Sequence, residues 1–177
     1  MKKHKTYERN SLNERICDEF NDARNLRELS YIALLYIEYY INEILIRKLQ
    51  YPEKIIDENE LGSFKNKLLI LEAVGIFDDH PNLLGNINLI QRIRNYYAHN
   101  LLASERAPEP VVSRIKQLVY FDRNNVVCEY DVPWSKHVDP LKSQLDVCSL
   151  STVNVLIRIF YGLPDLSVKS YEAEPGA

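Results

Sequence analysis

Tyr31-Ile32-Ala33-Leu34-Leu35-Tyr36-Ile37-Glu38-Tyr39-Tyr40-Ile41 is a run of eleven residues with a single charge, Glu38. It lies inside a longer pattern in which Leu29, Ile32, Tyr36, Tyr40 and Ile44 recur every three or four residues. That spacing predicts one long helix over residues 26–50, closed by Pro52. Between Tyr31 and Ile41 the helix is apolar almost all the way round, so it belongs at the centre of a core or in an oligomer interface. Burying a lone carboxylate is costly, so Glu38 is expected to face a cation or a cleft. Residues 31–49 also contain Asn42, Glu43, Arg47 and Lys48, more polar groups than a bilayer-spanning helix carries, so no membrane association is expected.

The rest of the chain reads as helices of the same kind. A first helix is expected over 11–24, capped by Ser11 with Glu14 three residues on, and with Leu12, Ile16 and Phe20 on one stripe. Residues 54–62 read as a connection. Ser63 then caps a helix from Phe64 to Val74, with Leu68, Leu71 and Ala73 inward, Lys65 and Lys67 outward, and Gly75 as its stop. Asp78 to Asn82 is turn material, and the next helix runs from Leu83 or Asn86 to Leu102. Pro108 and Pro110 interrupt the pattern before a helix over 111–119. Residues 120–140 read as a hairpin around Asn124-Asn125 or as an irregular loop. A last helix covers 145–161, ending at Gly162 and Pro164. Residues 1–166 form one all-α helical domain on this reading, and 167–177 a frayed tail.

Composition narrows the function. Of 177 residues, 46% are hydrophobic, enough for a substantial core, and only five are Gly, few for a sandwich of tight turns. The formal charge of -3 supplies no broad cationic field, which argues against free-standing DNA binding and leaves room only for a local nucleic-acid cleft. Cys17, Cys128 and Cys148 are odd in number and fit no metal or disulfide spacing, so reduced thiols in a cytoplasmic protein are expected. No apolar signal core follows the basic Met1-Lys2-Lys3-His4-Lys5. His80 and His137 have no ligand-spaced companions, so neither suggests a metal site. Trp134 beside Pro133 reads as an anchor of the irregular segment.

The chemistry gathers on the helix holding residues 87–102. At about 100° per residue, Ile87, Ile90, Ile93, Tyr96, Tyr97 and Leu101 share one sector, and Gln91, Arg92, Asn95 and His99 the opposite one. Asn95 and His99, four apart, are neighbours. Arg94 projects toward the apolar sector, where an ion that cannot be neutralised needs a carboxylate or phosphate, and Glu38 is the candidate partner. An Arg, an Asn and a His on one helix suit metal-free RNA cleavage by 2′-hydroxyl attack. The His moves a proton near neutral pH, the Arg steadies charge on the phosphate, and the Asn orients either the His or the Arg. On spacing alone a helix with an exposed His and an Arg salt-bridged within the fold is the better reading, because R-x-x-x-x-H occurs readily by chance.

Ile93-Arg94-Asn95-Tyr96-Tyr97-Ala98-His99-Asn100 resembles the signature of the HEPN superfamily, an Arg, a polar residue and a His late in a helix. Leu61-Gly62-Ser63-Phe64-Lys65-Asn66-Lys67, then Ala73-Val74-Gly75-Ile76, then Leu89-Ile90-Gln91-Arg92-Ile93-Arg94-Asn95 through His99, resembles its mannitol-repressor-like branch. Glu38 falls where that branch has an acidic residue on the preceding long helix. The resemblance covers roughly residues 26–102. It implies a helical bundle that pairs as a homodimer so that two Arg/His motifs meet in one cleft, needing no cofactor and no metal. Arg94, Asn95 and His99 would be catalytic, and Glu38, Arg92 and Tyr96 would support or line the cleft. Active relatives of this kind are endoribonucleases, often in toxin-antitoxin or antiphage systems, which implies an RNA substrate and an antitoxin or regulatory partner. Leu101 stands where one toxin subtype has a Tyr two residues after the His, so regulation through that Tyr is not expected. The alternative within the same branch is a non-catalytic module that binds a regulatory protein partner. The tyrosines Tyr36, Tyr39, Tyr40, Tyr96 and Tyr97 read as core aromatics before base-stacking ones.

Overall fold

Asn25 starts the long helix α2 (Leu26–Lys48): its side chain accepts from the Glu28 amide at 2.9 Å, and the Glu28 carboxylate accepts from the Arg24 amide at 2.8 Å. The Glu28 amide, which the first turn leaves without a helical partner, is thereby satisfied, and the residue ahead of the cap is tied to the same turn. In the computed structural model, which describes residues 9–56, 62–100, 107–121 and 139–163, the other helices assemble on α2. They are α1 (Arg9–Asp22), α3 (Glu53–Ile56), α4 (Phe64–Ala73), α5 (Pro81–His99), α6 (Glu109–Lys116) and α7 (Pro140–Gly162), with no strand among the described residues. The all-helical architecture expected from the periodicity is therefore observed. Residues 122–138 of the possible hairpin (Cys128, Trp134 and His137 among them), the expected end of the motif helix at 101–102, the basic N-terminus and the tail beyond 166 lie outside the described residues.

α2 contacts α1, α4, α5 and α7. Leu29, Ile37, Tyr40, Ile41, Ile44 and Leu45 are all buried in one core cluster shared by the bundle. The apolar girth of α2 thus marks a central helix. What remains outside is a stripe at four-residue spacing: Tyr31 (37% exposed), Leu35 (64%) and Tyr39 (37%). α2 and α7 are long and apolar enough to cross a bilayer by length and composition alone, but half and two-thirds of those spans are buried inside the bundle, as core helices are.

The side-chain bonds give the helix directions. Arg27 reaches Tyr97 while Tyr31, one turn on, meets Arg94, one turn back, so α2 and α5 run antiparallel. Arg47, at the far end of α2, donates to the Phe160 carbonyl at 3.0 Å and lies 3.7 Å from that ring's centre, joining the C-terminal ends of α2 and α7. α1 closes another side, with Phe20 6.4 Å from the Tyr36 ring. Burial, then a hydrogen bond to Glu19, raises the Tyr36 hydroxyl well above its ordinary pKa.

Several boundaries differ from the sequence reading for identifiable reasons. α1 begins at Arg9, so Ser11 lies inside the helix; backbone bonding continues beyond the apolar stripe. A short helix, α3, occupies part of the expected connection. α4 is capped by Ser63, which accepts from Asn66 at 3.3 Å. Its end is a Schellman motif: Ile76 donates to Leu71, Gly75 donates to Glu72, and Gly75 takes φ 75. Ala73 faces solvent, since it lies about 200° round the helix from Leu71. Lys67 is buried, only 5% exposed, because it shares the stripe of Leu71 and its aliphatic stem packs like an apolar chain. α5 starts at Pro81, whose missing N–H costs nothing at a first turn. α6 likewise takes Pro110 into its first turn, so the prolines that interrupt the pattern start a helix. α7 starts at Pro140, capped by Asp139, five residues before its apolar rhythm becomes regular.

Asn86 locks three elements together. Its amide donates to the Val119 carbonyl at 2.6 Å and to Thr152 Oγ1 at 3.0 Å, and its oxygen accepts from the Val119 amide at 2.9 Å. Asn86 is buried, so truncation removes all three bonds and takes a donor from the fully buried Thr152 hydroxyl. Asn86→Ala is expected to lower unfolding free energy by about 2–4 kcal/mol, measured by denaturant titration; a loss below about 0.5 kcal/mol would show that the three bonds do not hold α5, α6 and α7 together.

Candidate functional site

The last turns of α5 carry the candidate residues. A helix end leaves its final carbonyls without amide partners. Here Arg27 Nη2 donates to the Tyr97 carbonyl at 3.0 Å, and Asn100 donates to the Tyr96 carbonyl from its amide at 3.1 Å and its side chain at 2.8 Å. Tyr97 is buried, with its ring edge-on to Tyr96 at 6.0 Å. Burial first, then Tyr96, raise the Tyr97 hydroxyl above its ordinary pKa, with Arg27 opposing, so it stays protonated and serves packing.

Arg94 is half-buried. Its Nη1 donates to Asn95 Oδ1 at 3.1 Å, and its guanidinium carbon lies 5.1 Å from the centre of the Tyr31 ring. Of the two side chains that Asn95 is expected to orient, its bond is to Arg94. His99 is exposed one turn beyond Asn95. Arg92 is exposed on the side facing α6, where its backbone carbonyl accepts from Arg114 Nη1 at 3.2 Å. Tyr96 is half-buried beside Tyr97.

Glu38 is not the partner of Arg94. It is half-buried and forms no ion pair with Arg94 among the described residues. The geometry explains this: Arg94 meets α2 at Tyr31, and Glu38 lies seven residues on, about 10 Å further along the helix axis. The two residues that do hold the motif, Arg27 and Tyr31, escaped sequence reading. Their signal was their i, i+4 spacing on α2, which puts a cation and an aromatic on one face.

Beside this end of the bundle lies a cleft of about 510 Å³, lined by Glu19, Asp22, Arg27, Glu28, Tyr31 and Ile32 among others. Its three carboxylates outnumber Arg27 and disfavour phosphate there, whereas Arg94, on the motif helix, has no carboxylate partner among the described residues. Among the described residues no three His, Cys, Asp or Glu side chains converge as a metal ion requires. His80 sits at the opposite end of α5, as its N-cap.

No protein-family model, curated protein or solved structure matches this chain. The site therefore stands on its own geometry.

Because Arg94 neutralises no buried carboxylate, removing it leaves no acid stranded. Arg94→Ala and Glu38→Ala should each cost about 1 kcal/mol or less of stability in urea unfolding. A loss of about 3–5 kcal/mol in either variant, with coupling between them, would instead reveal a buried Arg94–Glu38 pair.

Proposed function

We propose that this chain is a metal-independent endoribonuclease of the HEPN type, in its mannitol-repressor-like branch, working in the cytoplasm within a toxin-antitoxin or antiphage system. The observation that carries the reading is Arg94. Its guanidinium is held by Asn95 and the Tyr31 ring, no carboxylate compensates it among the described residues, and the exposed His99 lies on the same helix. Cys17 and Cys148 are buried cysteines, in keeping with a reducing compartment.

The chemistry follows from the groups. An imidazole takes the proton of a ribose 2′-hydroxyl, O2′ attacks the neighbouring phosphorus, and the P–O5′ bond breaks. Arg94 steadies the negative charge that grows on the non-bridging oxygens. The departing O5′ takes a proton from an acid, leaving a 2′,3′-cyclic phosphate and a 5′-hydroxyl. Both a base and an acid are needed. His80 is 19 residues from His99 on α5, about 28 Å away, so one chain's described residues offer a single imidazole near Arg94. A second copy, paired so that both His99 side chains enter one cleft, supplies the other. Arg92, exposed on the same polar face, adds positive charge for RNA.

A second reading, a non-catalytic module for a regulatory protein partner, is favoured by the exposed stripe Tyr31, Leu35 and Tyr39. Apolar stripes of this spacing are what a partner helix reads.

His99→Ala separates the two. It should lower EDTA-resistant RNA cleavage by about 10²–10⁴-fold, with the melting temperature unchanged because His99 is exposed. Wild-type products should end in 2′,3′-cyclic phosphate. A wild-type protein that cuts nothing in a broad RNA panel, and whose cellular effect survives His99→Ala, is the regulatory module. Light scattering should report a dimer at micromolar concentration; a monomer that still cleaves removes the shared cleft from the mechanism.

A further inference from the structure

An arginine half-withdrawn from water is commonly fixed by a carboxylate, and that fixing cancels the charge which an anionic ligand needs. Arg94 is fixed differently. Asn95 Oδ1 takes one donor from Nη1, and the ring of Tyr31 faces the guanidinium at 5.1 Å. A neutral amide and a ring quadrupole orient a cation without neutralising it. The remaining guanidinium donors have no protein acceptor among the described residues.

Core packing does not account for the aromatic ring of Tyr31. It is 37% exposed, outside the core cluster that takes Leu29, Ala33 and Ile37 of the same helix. One turn before it on the same face, Arg27 binds the Tyr97 carbonyl, the turn that leads into His99. The pair Arg27 and Tyr31 thus grips α5 at two consecutive points on either side of Asn95. Any drift of α5 along α2 breaks both grips.

We propose that Tyr31 is a positioning residue: its ring holds Arg94 in register while leaving the cation open to a phosphate oxygen. That the phosphate belongs to RNA rests on the nuclease reading; the positioning itself does not.

The test uses the full-length chain with ¹⁵N-labelled arginine, as wild type, Tyr31→Phe and Tyr31→Leu. Phe keeps the ring, and Leu keeps an apolar side chain without one. The Arg94 Nε–H resonance, assigned through Arg94→Lys, should carry a ring-current shift in wild type and Tyr31→Phe, and lose it in Tyr31→Leu. Titration with inorganic phosphate should move that resonance in all three, with the dissociation constant weakened about two- to thirtyfold in Tyr31→Leu and restored in Tyr31→Phe. In RNA cleavage, Tyr31→Leu should lower kcat by a similar factor while KM stays within about twofold, the split expected of an interaction tightened in the transition state. The proposal is overturned if the ring-current shift survives in Tyr31→Leu, if phosphate does not perturb Arg94, or if Leu binds phosphate as well as Phe does. A wild type whose Arg94 responds to phosphate as described but which cuts no RNA sustains the positioning role and removes the nuclease.

Discussion

α2 is apolar on nearly its whole circumference, and no single neighbour can dry such a surface. Four helices do so, α1, α4, α5 and α7, and the bundle follows from that requirement. Its two ends pose a second constraint. The helices packed against α2 finish with carbonyls that need donors, and α2 supplies an arginine at each end. Arg27 serves the Tyr97 carbonyl of α5, and Arg47 serves the Phe160 carbonyl of α7. The central helix is therefore both the core and the clamp that sets where its neighbours stop.

This arrangement explains why the candidate site lies where it does. α5 runs antiparallel to α2, so its C-terminal turns arrive at the first turns of α2. Arg94 meets Tyr31 there, and Asn95 completes its hold. His99, at the end of the same helix, projects beyond the packed region into solvent. One element thus carries a restrained cation and an accessible imidazole, the first half-buried and the second exposed. The opposite end of α5 is organised for stability instead, where Asn86 ties α6 and α7 to it.

Much of the helical plan was legible in sequence. Periodic apolar residues mark α2 and α5, Ser63 and Gly75 mark the ends of α4, and the polar face bearing Asn95 and His99 follows from a 100° step. Errors arose where a residue's neighbours come from another helix. Lys67 looked external by charge yet is buried where α4 packs on α2. Pro140 to Gln144 looked irregular because α7 is surrounded on most sides and buries polar residues such as Ser143 and Asp146, so its start carries no clean stripe. Asn86 looked like an ordinary polar residue at a helix start, because its partners lie 33 and 66 residues away.

The sequence by itself determined that the chain is helical, that α2 is too apolar to stand in solvent, and that Arg94, Asn95 and His99 share one helix, because those properties depend on residue type and on a fixed rotation per residue. Only the tertiary structure decided what holds Arg94. Glu38 and Tyr31 lie on the same helix and are both plausible partners by composition. The axial offset between α2 and α5 puts Tyr31 at the level of Arg94 and leaves Glu38 about two turns away. Such an offset is set by how two helices pack along their lengths, here pinned by Arg27 on the Tyr97 carbonyl. No local pattern encodes it.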